Sequence, residues 1–244
     1  MQQGNITGIK AGQMKTFTES SMEQGYWRCP DNKNLYLVDG PTFRGLPLMS
    51  GHGPYIVQYL DRLIEVLQKA WAEHPRLLVL RIELKIPKEW MGRDDVMWDG
   101  IMKRFIQSLR RKVMTDRARA KGRNGRCHDS SVRNVWTREV STRDRDHFHG
   151  LLMVNHDAYY GLGSYDLRVP SLANIIREAW ASALGLIFEQ GARFVHYPEN
   201  CSYFINGHGD VATFAEVFRR ASYMCKERTK VYGNRQQSFG YSRK

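Results

Sequence analysis

The sequence has few cysteines, and they lie far apart along the chain. Its four cysteines are Cys29, Cys127, Cys201 and Cys225. Because no two of them form a C-x-x-C motif, the spacing indicates neither a zinc ribbon nor a disulfide framework. We expect reduced thiols.

Long apolar runs are also absent. No stretch of about 18 apolar residues occurs, and residues 1–15 lack the apolar segment of a secretory signal. The pattern excludes a membrane-spanning helix, so we expect a cytoplasmic protein with no membrane partner. At 244 residues with 42% hydrophobic residues, the chain can bury a sizeable core.

Acidic residues are too few to balance the basic ones. The chain has 25 Asp and Glu against 37 Lys and Arg, a net charge of +12. Proteins with such a surplus usually bind nucleic acid or an anionic membrane. Since no lipidation motif or amphipathic anchor accompanies the charge, nucleic acid is the favoured partner.

The positive charge is concentrated between residues 103 and 138, where only Asp116 and Asp129 are acidic. A solvated helix face would normally carry mixed signs, so the segment favours phosphate contacts over that alternative. The predicted DNA-binding residues are Arg110, Arg111, Lys112, Arg117, Arg119, Lys121 and Arg123, with Lys230 from the C-terminal region.

Hydrophobic periodicity and turn residues divide the chain into elements. Residues 1–53 predict an extended arm or small hairpin, and residues 54–244 predict the main domain, which begins with a helix ending before residue 75. Strands are predicted over residues 77–86, 133–140, 147–155, 192–197 and 201–205, and further helices over residues 94–120, 171–184 and 211–229.

The middle of the chain therefore follows the order β-α-β-β-α-β. That order predicts an α+β fold of the ferredoxin-like type, with an antiparallel sheet, helices on one face and the other face free for a ligand. The first and last helices are additions to this unit, and the last one contains Tyr223.

Two histidines begin the third predicted strand. Because side chains alternate along a strand, His147 and His149 share a face while Phe148 points to the opposite one. Paired imidazoles suit a divalent metal ion, although a solvated strand face gives the same pattern. On the neighbouring strands Glu139 is the favoured third ligand and Glu83 is its rival.

A candidate nucleophile lies in the last predicted helix. Tyr223, Lys226 and Lys230 are spaced to share one helix face. A phenol is a poor nucleophile unless a cation stabilises its phenolate, and Lys226 would do so while holding a phosphate. Most tyrosines on amphipathic helices lie in cores or interfaces, so this spacing becomes informative only together with the histidine pair.

The segment His147-Phe148-His149, followed by residues 150–155 and later by Tyr223-x-x-Lys226, resembles the HUH superfamily of single-strand DNA endonucleases. From residue 77 onward the chain is similar to inovirus-type replication initiator proteins and their prophage relatives, with support from residues 178–180, 195–200 and 238–240. The resemblance implies a ferredoxin-like sheet, His147 and His149 as metal ligands, a third ligand from a neighbouring strand, and Tyr223 as the attacking residue.

The resemblance also implies an activity. This activity is the site-specific nicking and rejoining of single-stranded DNA, at an origin or hairpin, through a 5′-phosphotyrosine intermediate with Mg²⁺ or Mn²⁺ as cofactor. It would initiate rolling-circle-type replication of a phage or mobile element, with a host helicase or polymerase as a further partner. The alternatives are a non-catalytic nucleic-acid-binding platform and an HUH transposase or relaxase-like nickase.

Overall fold

The computed structural model describes residues 25–90, 100–140, 146–232 and 237–243. Its strands are β1 (Trp27–Arg28), β2 (Tyr36–Val38), β3 (Thr42–Phe43), β4 (Leu46–Pro47), β5 (Tyr55–Ile56), β6 (Arg76–Lys85), β7 (Arg133–Val140), β8 (Asp146–Asn155), β9 (Val195–His196), β10 (Ser202–Asn206) and β11 (Phe239–Tyr241). Its α-helices are α1 (Val57–Glu73), α2 (Ile101–Asn124), α3 (Leu172–Leu184), α4 (Phe188–Gly191) and α5 (Val211–Ser222).

The central sheet has the order β10-β6-β8-β7-β11, and all its pairs are antiparallel. With α2 and α3 as crossovers, this confirms the predicted α+β fold and its ferredoxin-like strand order. The fourth strand of that unit is split, because β9 and β10 pair with successive parts of β6. The predicted strand over residues 192–197 is thus mostly wrong, since Ala192–Phe194 forms a 3₁₀ turn. Strand β11 is an addition that periodicity did not predict.

Helices cover both faces of the sheet. On the rear face, β6 residues such as Leu80 and Ile82 pack with α2 and α3, whereas on the front face Leu77 and Val79 pack with α1 and α5. The prediction of a free face is therefore wrong. Helices α1 and α5 must bury apolar stripes of their own, and the first residues of β6 offer them an apolar surface. Toward the His147 end of the strands the front face becomes polar, with Glu83, Glu139, His147 and His149.

The residues before α1 pack into the front-face core. Val38, Phe43 and Leu46 are buried in the same cluster as residues of α1 and α5. Strands β1, β2 and β5 form a three-stranded sheet, and β3 pairs with β4. The described part of the predicted arm is thus packed against the main domain.

Helix α2 differs in extent from the prediction, whereas helix α3 agrees with it. Helix α2 continues to Asn124, past the predicted end at residue 120, while the predicted start at residue 94 lies outside the described residues. Lys121 and Arg123 favour this extra turn because cations stabilise a helix C-terminus. Helix α3 is as predicted, with the Ser171 side chain accepting a hydrogen bond from the Asn174 backbone and Gly185 in the left-handed conformation.

Helix α5 ends at Ser222, seven residues before the predicted end at residue 229. Tyr223–Cys225 forms a 3₁₀ turn, and Lys226 is extended with ψ of 143°. Instead of continuing the helix, Lys226 makes a β-bridge to Tyr55, and the Glu227 amide donates to the Pro54 carbonyl. This contact with the chain before α1 cannot be read from local periodicity. No helix in the described ranges is long and apolar enough to cross a membrane.

Candidate metal and nucleophile site

The β7–β8 hairpin places the predicted metal ligands together. In its register Glu139 is opposite His147 and Thr137 is opposite His149. Since opposed residues of antiparallel strands share a face, both imidazoles and the Glu139 carboxylate lie on the front face. Phe148 points to the rear, where its ring packs 6.1 Å from that of Trp180. The packing of Phe148 on the rear face thus holds this part of β8 in place, and with it the two imidazoles on the front face.

The donor atoms of Glu139, His147 and His149 lie within 4.8 Å of one another. The two Nε2 atoms are 3.1 Å apart, and Glu139 Oε2 is 3.4 Å from His149 Nε2. Adjacent ligands of an octahedral ion bound at about 2.0–2.1 Å are about 3 Å apart. These separations, and a set of two imidazoles and one carboxylate, fit a divalent cation.

Glu83 occupies a different side of His149. It is opposite His149 in the β6–β8 register, and its Oε1 atom lies 3.8 Å from His149 Nδ1. If Nε2 bound a metal ion, a carboxylate on that side would orient the Nδ1 proton of His149. The geometry therefore groups Glu139, and not Glu83, with the two Nε2 atoms.

Two buried lysines neutralise Glu139. Lys226 Nζ is 2.9 Å from Glu139 Oε2, and Lys230 Nζ is 3.5 Å from Oε1. Burial by itself would raise the pKa of Glu139, but the hydrogen bond from His149 and the two ammonium groups together hold it well below its ordinary value. Burial also lowers the pKa of Lys230 to about 8. Glu139 is thus ionised, and a metal ion must share it with these lysines.

Tyr223 adjoins this cluster. Its ring centroid is 5.8 Å from that of His149 and 4.8 Å from that of His52. Lys226 Nζ lies 3.4 Å from the Tyr223 ring centroid, so one ammonium group contacts both the carboxylate and the tyrosine. Tyr223 and Lys226 are neighbours as predicted. The predicted shared helix face is wrong, because the helix ends at Ser222 and both residues lie beyond it.

A small cleft opens beside His149 and Tyr223. Its lining includes Arg81 of β6 and Arg220 of α5, neither of which was predicted as a site residue. The Arg81 Nη1 atom is buried and has no hydrogen-bond partner among the described residues. An anion in this cleft would meet both guanidinium groups. Arg81 lies two residues before Glu83 on β6, so the alternation of side chains along the strand places both on the same face. This alternation would have identified Arg81 as a site residue.

His52 is the other site residue missed by sequence reasoning. Arg228 lies 3.3 Å from its Nδ1 atom. Burial, together with the charges of Arg228 and Lys226, lowers the pKa of His52, so its imidazole is neutral near neutral pH. No local pattern marks it, because it lies in the segment before α1 and reaches Tyr223 only through the fold.

The YagK/YfjJ C-terminal domain family matches residues 38–242. The chain belongs to this family. It is 32% identical over 203 residues to "Uncharacterized protein YfjJ" of Escherichia coli (strain K12), covering 80% of this chain and 98% of the relative. It is also 32% identical over 198 residues to "Uncharacterized protein YagK" of the same organism, covering 78% and 95%. No solved structure matches the chain.

The YagK/YfjJ match includes the whole candidate site. It starts at residue 38, within the predicted arm, and includes His52 as well as the β7–β8 hairpin and Tyr223. The segment before α1 that packs on the front face is therefore part of the family region.

In this YagK/YfjJ family member, the basic residues of α2 lie on the rear side of the sheet, away from the histidines. Several are already engaged: Lys112 pairs with Glu178, and Arg117 pairs with Asp116. Five predicted DNA-binding positions are exposed on α2: Arg110, Arg111, Arg119, Lys121 and Arg123.

Two predicted DNA-binding residues also make polar contacts with the edge or the front side of the sheet. Arg110 donates to the Val132 carbonyl and to the Ser242 hydroxyl at the rear edge of the sheet. Lys230 is buried against Glu139 on the front side, a position that does not fit the predicted contact with a DNA backbone.

Proposed function

We propose that this YagK/YfjJ family member is an HUH-type endonuclease that nicks and rejoins single-stranded DNA through a 5′-phosphotyrosine. The observation that carries the proposal is the convergence of Glu139, His147 and His149 beside Tyr223. A metal-binding triad next to a tyrosine is the arrangement that such a transesterification requires. The reaction would initiate rolling-circle-type replication of a phage or mobile element.

Mg²⁺ or Mn²⁺ held by His147, His149 and Glu139 would polarise the scissile phosphate. The ionised state of Glu139 suits it to this role, because its depressed pKa keeps the carboxylate charged across the physiological range. Glu83 would keep His149 in the tautomer that presents Nε2.

Tyr223 would attack the phosphorus atom in line. Its phenolic oxygen forms the new bond to the 5′ phosphate as the bond to the 3′ oxygen breaks, and that oxygen takes up a proton to become a free 3′-hydroxyl. The neutral imidazole of His52, in edge contact with the Tyr223 ring, is the nearest candidate to receive the phenolic proton. Attack by a 3′-hydroxyl on the phosphotyrosine reverses the reaction without ATP.

Other groups would position the strand. Lys226 holds the Tyr223 ring against the Glu139 carboxylate, and Arg81 and Arg220 line the cleft where a neighbouring phosphate would lie. We place this activity in the cytoplasm, with a host helicase or polymerase as a further partner.

A non-catalytic platform is the alternative of a different class. Ferredoxin-like domains that bind single strands on the sheet need an open face with exposed aromatics. Here both faces are packed against helices, which gives that alternative less support. A transposase or relaxase-like nickase would share the chemistry and differ in its DNA.

The test uses labelled single-stranded oligonucleotides tiled over both strands of the DNA that flanks the gene. Wild-type protein with Mn²⁺ should cleave a subset of them, and EDTA should abolish the cleavage. Tyr223→Phe should be inactive, whereas the control Tyr197→Phe should cleave, because the Tyr197 hydroxyl donates to the Ala173 carbonyl in the rear core. Equal cleavage by Tyr223→Phe and wild type would refute the proposal.

A further inference from the structure

A large cavity lies on the rear side of the sheet, away from the candidate metal site. It has a volume of about 750 Å³ and lies between the first half of α2 and the edge formed by β7 and β11. Nothing in the proposed nicking reaction uses this cavity, which we call the rear groove.

Trp136 supplies the aromatic surface of the rear groove. On β7 it is opposite Gly150 of β8 on one side and Gly240 of β11 on the other. Because glycine has no side chain, neither of these two neighbours covers the indole. A Cβ atom built on Gly240 would come within 2.4 Å of the indole, which shows that the ring lies directly over this glycine. Phe148 supports the indole edge-on, with ring centroids 5.8 Å apart. The result is a half-buried flat ring facing the cavity.

The charges around the rear groove have one sign. Four cationic residues line it, and none of the described lining residues is Asp or Glu. The four are Lys103, Arg110, Arg138 and Arg243. Arg110 is held in place by the Val132 carbonyl and the Ser242 hydroxyl, so at least one guanidinium group has a fixed position. An anion would be attracted from every described side.

We propose that the rear groove binds a nucleotide of single-stranded nucleic acid, with its base stacked on Trp136 and its phosphates paired with the surrounding cations. Stacking on an aromatic platform combined with a cationic groove is how proteins bind single strands without sequence preference. Base pairs in a duplex hide their faces, so the groove should discriminate against duplex. A strand bound here and at Tyr223 must pass around the edge or end of the sheet.

Binding to the full-length Tyr223→Phe protein in EDTA tests the proposal separately from nicking. The probes are a fluorescent oligothymidylate, an abasic oligonucleotide with the same number of phosphates, and a duplex. Trp136→Leu should weaken oligothymidylate binding at least about fivefold and leave abasic binding nearly unchanged. Lys103→Gln with Arg243→Gln should weaken binding of both single strands more than the control pair Lys33→Gln with Arg193→Gln, whose exposed cations lie elsewhere.

Circular dichroism will check that Trp136→Leu is folded, and the lysine and arginine pair tests the groove if it is not. The proposal is overturned if the folded Trp136→Leu variant binds oligothymidylate as tightly as its parent. It is equally overturned if the groove pair and the control pair have the same effect, or if the duplex binds as well as the single strand.

Discussion

Glu139 is in contact with several residues of the candidate site. It is opposite His147, near His149 Nε2, and paired with both Lys226 and Lys230 in a buried environment. A residue with this set of neighbours is held in one place before any ion arrives. The same neighbours make its charge necessary for the fold, so ligand and structural roles must be tested separately.

In the proposed metal site, Mn²⁺ binding should depend on His149. Its replacement in His149→Ala should weaken Mn²⁺ binding at least about tenfold, as measured by isothermal titration, because even outer residues of metal sites change affinity by about 10–100-fold. The matched control is His196→Ala, an exposed histidine opposite Glu83 on the sheet edge, which should bind Mn²⁺ like wild type. Equal affinities of His149→Ala and wild type would remove the metal assignment.

The buried charges predict a stability change for Glu139→Gln. Without the carboxylate, Lys226 and Lys230 remain buried with no counter-charge, so the free energy of unfolding should fall by about 3–5 kcal/mol. Urea denaturation measures this, and Glu83→Gln, which is more exposed, should cost less. Adding Lys226→Met to Glu139→Gln should recover part of the loss. A fall of under about 1 kcal/mol would mean that the ion pairs do not stabilise the fold.

At the scale of elements, the β7–β8 hairpin is what sequence predicts best. The alternating residues from 133 to 140 and the histidines that follow the polar turn establish the register, and with it the pairing of Glu139 with His147. The pairing of Glu139 with His147 therefore follows from local pattern, although that pattern left Glu83 open as a rival ligand. The turn itself, at residues 141–145, lies outside the described residues.

The end of α5 could not be predicted in the same way. Met224 and Cys225 are buried, so the apolar pattern continues past the last helical residue. What ends the helix is the contact of residues 226 and 227 with residues 54 and 55, which are distant in sequence. The same long-range packing brings His52 to Tyr223, and no local signal specifies it.

The C-terminal end of α1 should respond to acid. Burial lowers the pKa of His74, whose Nε2 accepts a hydrogen bond from the Ser131 amide. Because its folded pKa is below 6.5, the unfolded chain gains this proton first, so stability present above pH 6.5 falls as the pH drops from there toward the folded value. His74→Gln should show a smaller loss of unfolding free energy between pH 7 and 5 than wild type.

Exposed His128 provides the control for this pH dependence. His128→Gln should retain the acid sensitivity of wild type in urea titrations at each pH. If His74→Gln and His128→Gln follow the same curve as wild type, protonation of His74 does not limit stability.

At the scale of the whole molecule, the candidate metal site and the exposed cations of α2 lie on opposite sides of the sheet. The candidate metal site is on the front face, whereas the exposed cations of α2 and the rear groove are on the other side of the sheet. Sequence predicted the metal-site residues and the cations of α2 but not the side of the sheet on which each set lies, because periodicity gives the side chains of an element and not the side of the sheet that a helix covers. A bound strand would have to contact both sides.

The exposed cations of helix α2 should contact DNA phosphates whatever the base sequence of the DNA. Replacing Arg119, Lys121 and Arg123 by Gln should weaken binding to all single-stranded DNAs alike and reduce the slope of log affinity against log salt by about 0.7 per lost contact. Fluorescence anisotropy at several salt concentrations measures the slope. A changed sequence preference with an unaltered slope would contradict this role.

The most direct test of the proposed function is to identify the residue that carries the DNA. Wild-type protein would be incubated with Mn²⁺ and a cleavable single strand, trapped, digested and analysed by mass spectrometry. The account predicts a nucleotide on the peptide that contains Tyr223, with the adduct absent in Tyr223→Phe and present in Tyr203→Phe, whose hydroxyl contacts Arg220 near the same cleft. An adduct on Tyr203 or Tyr232, or cleavage without any adduct, would contradict it.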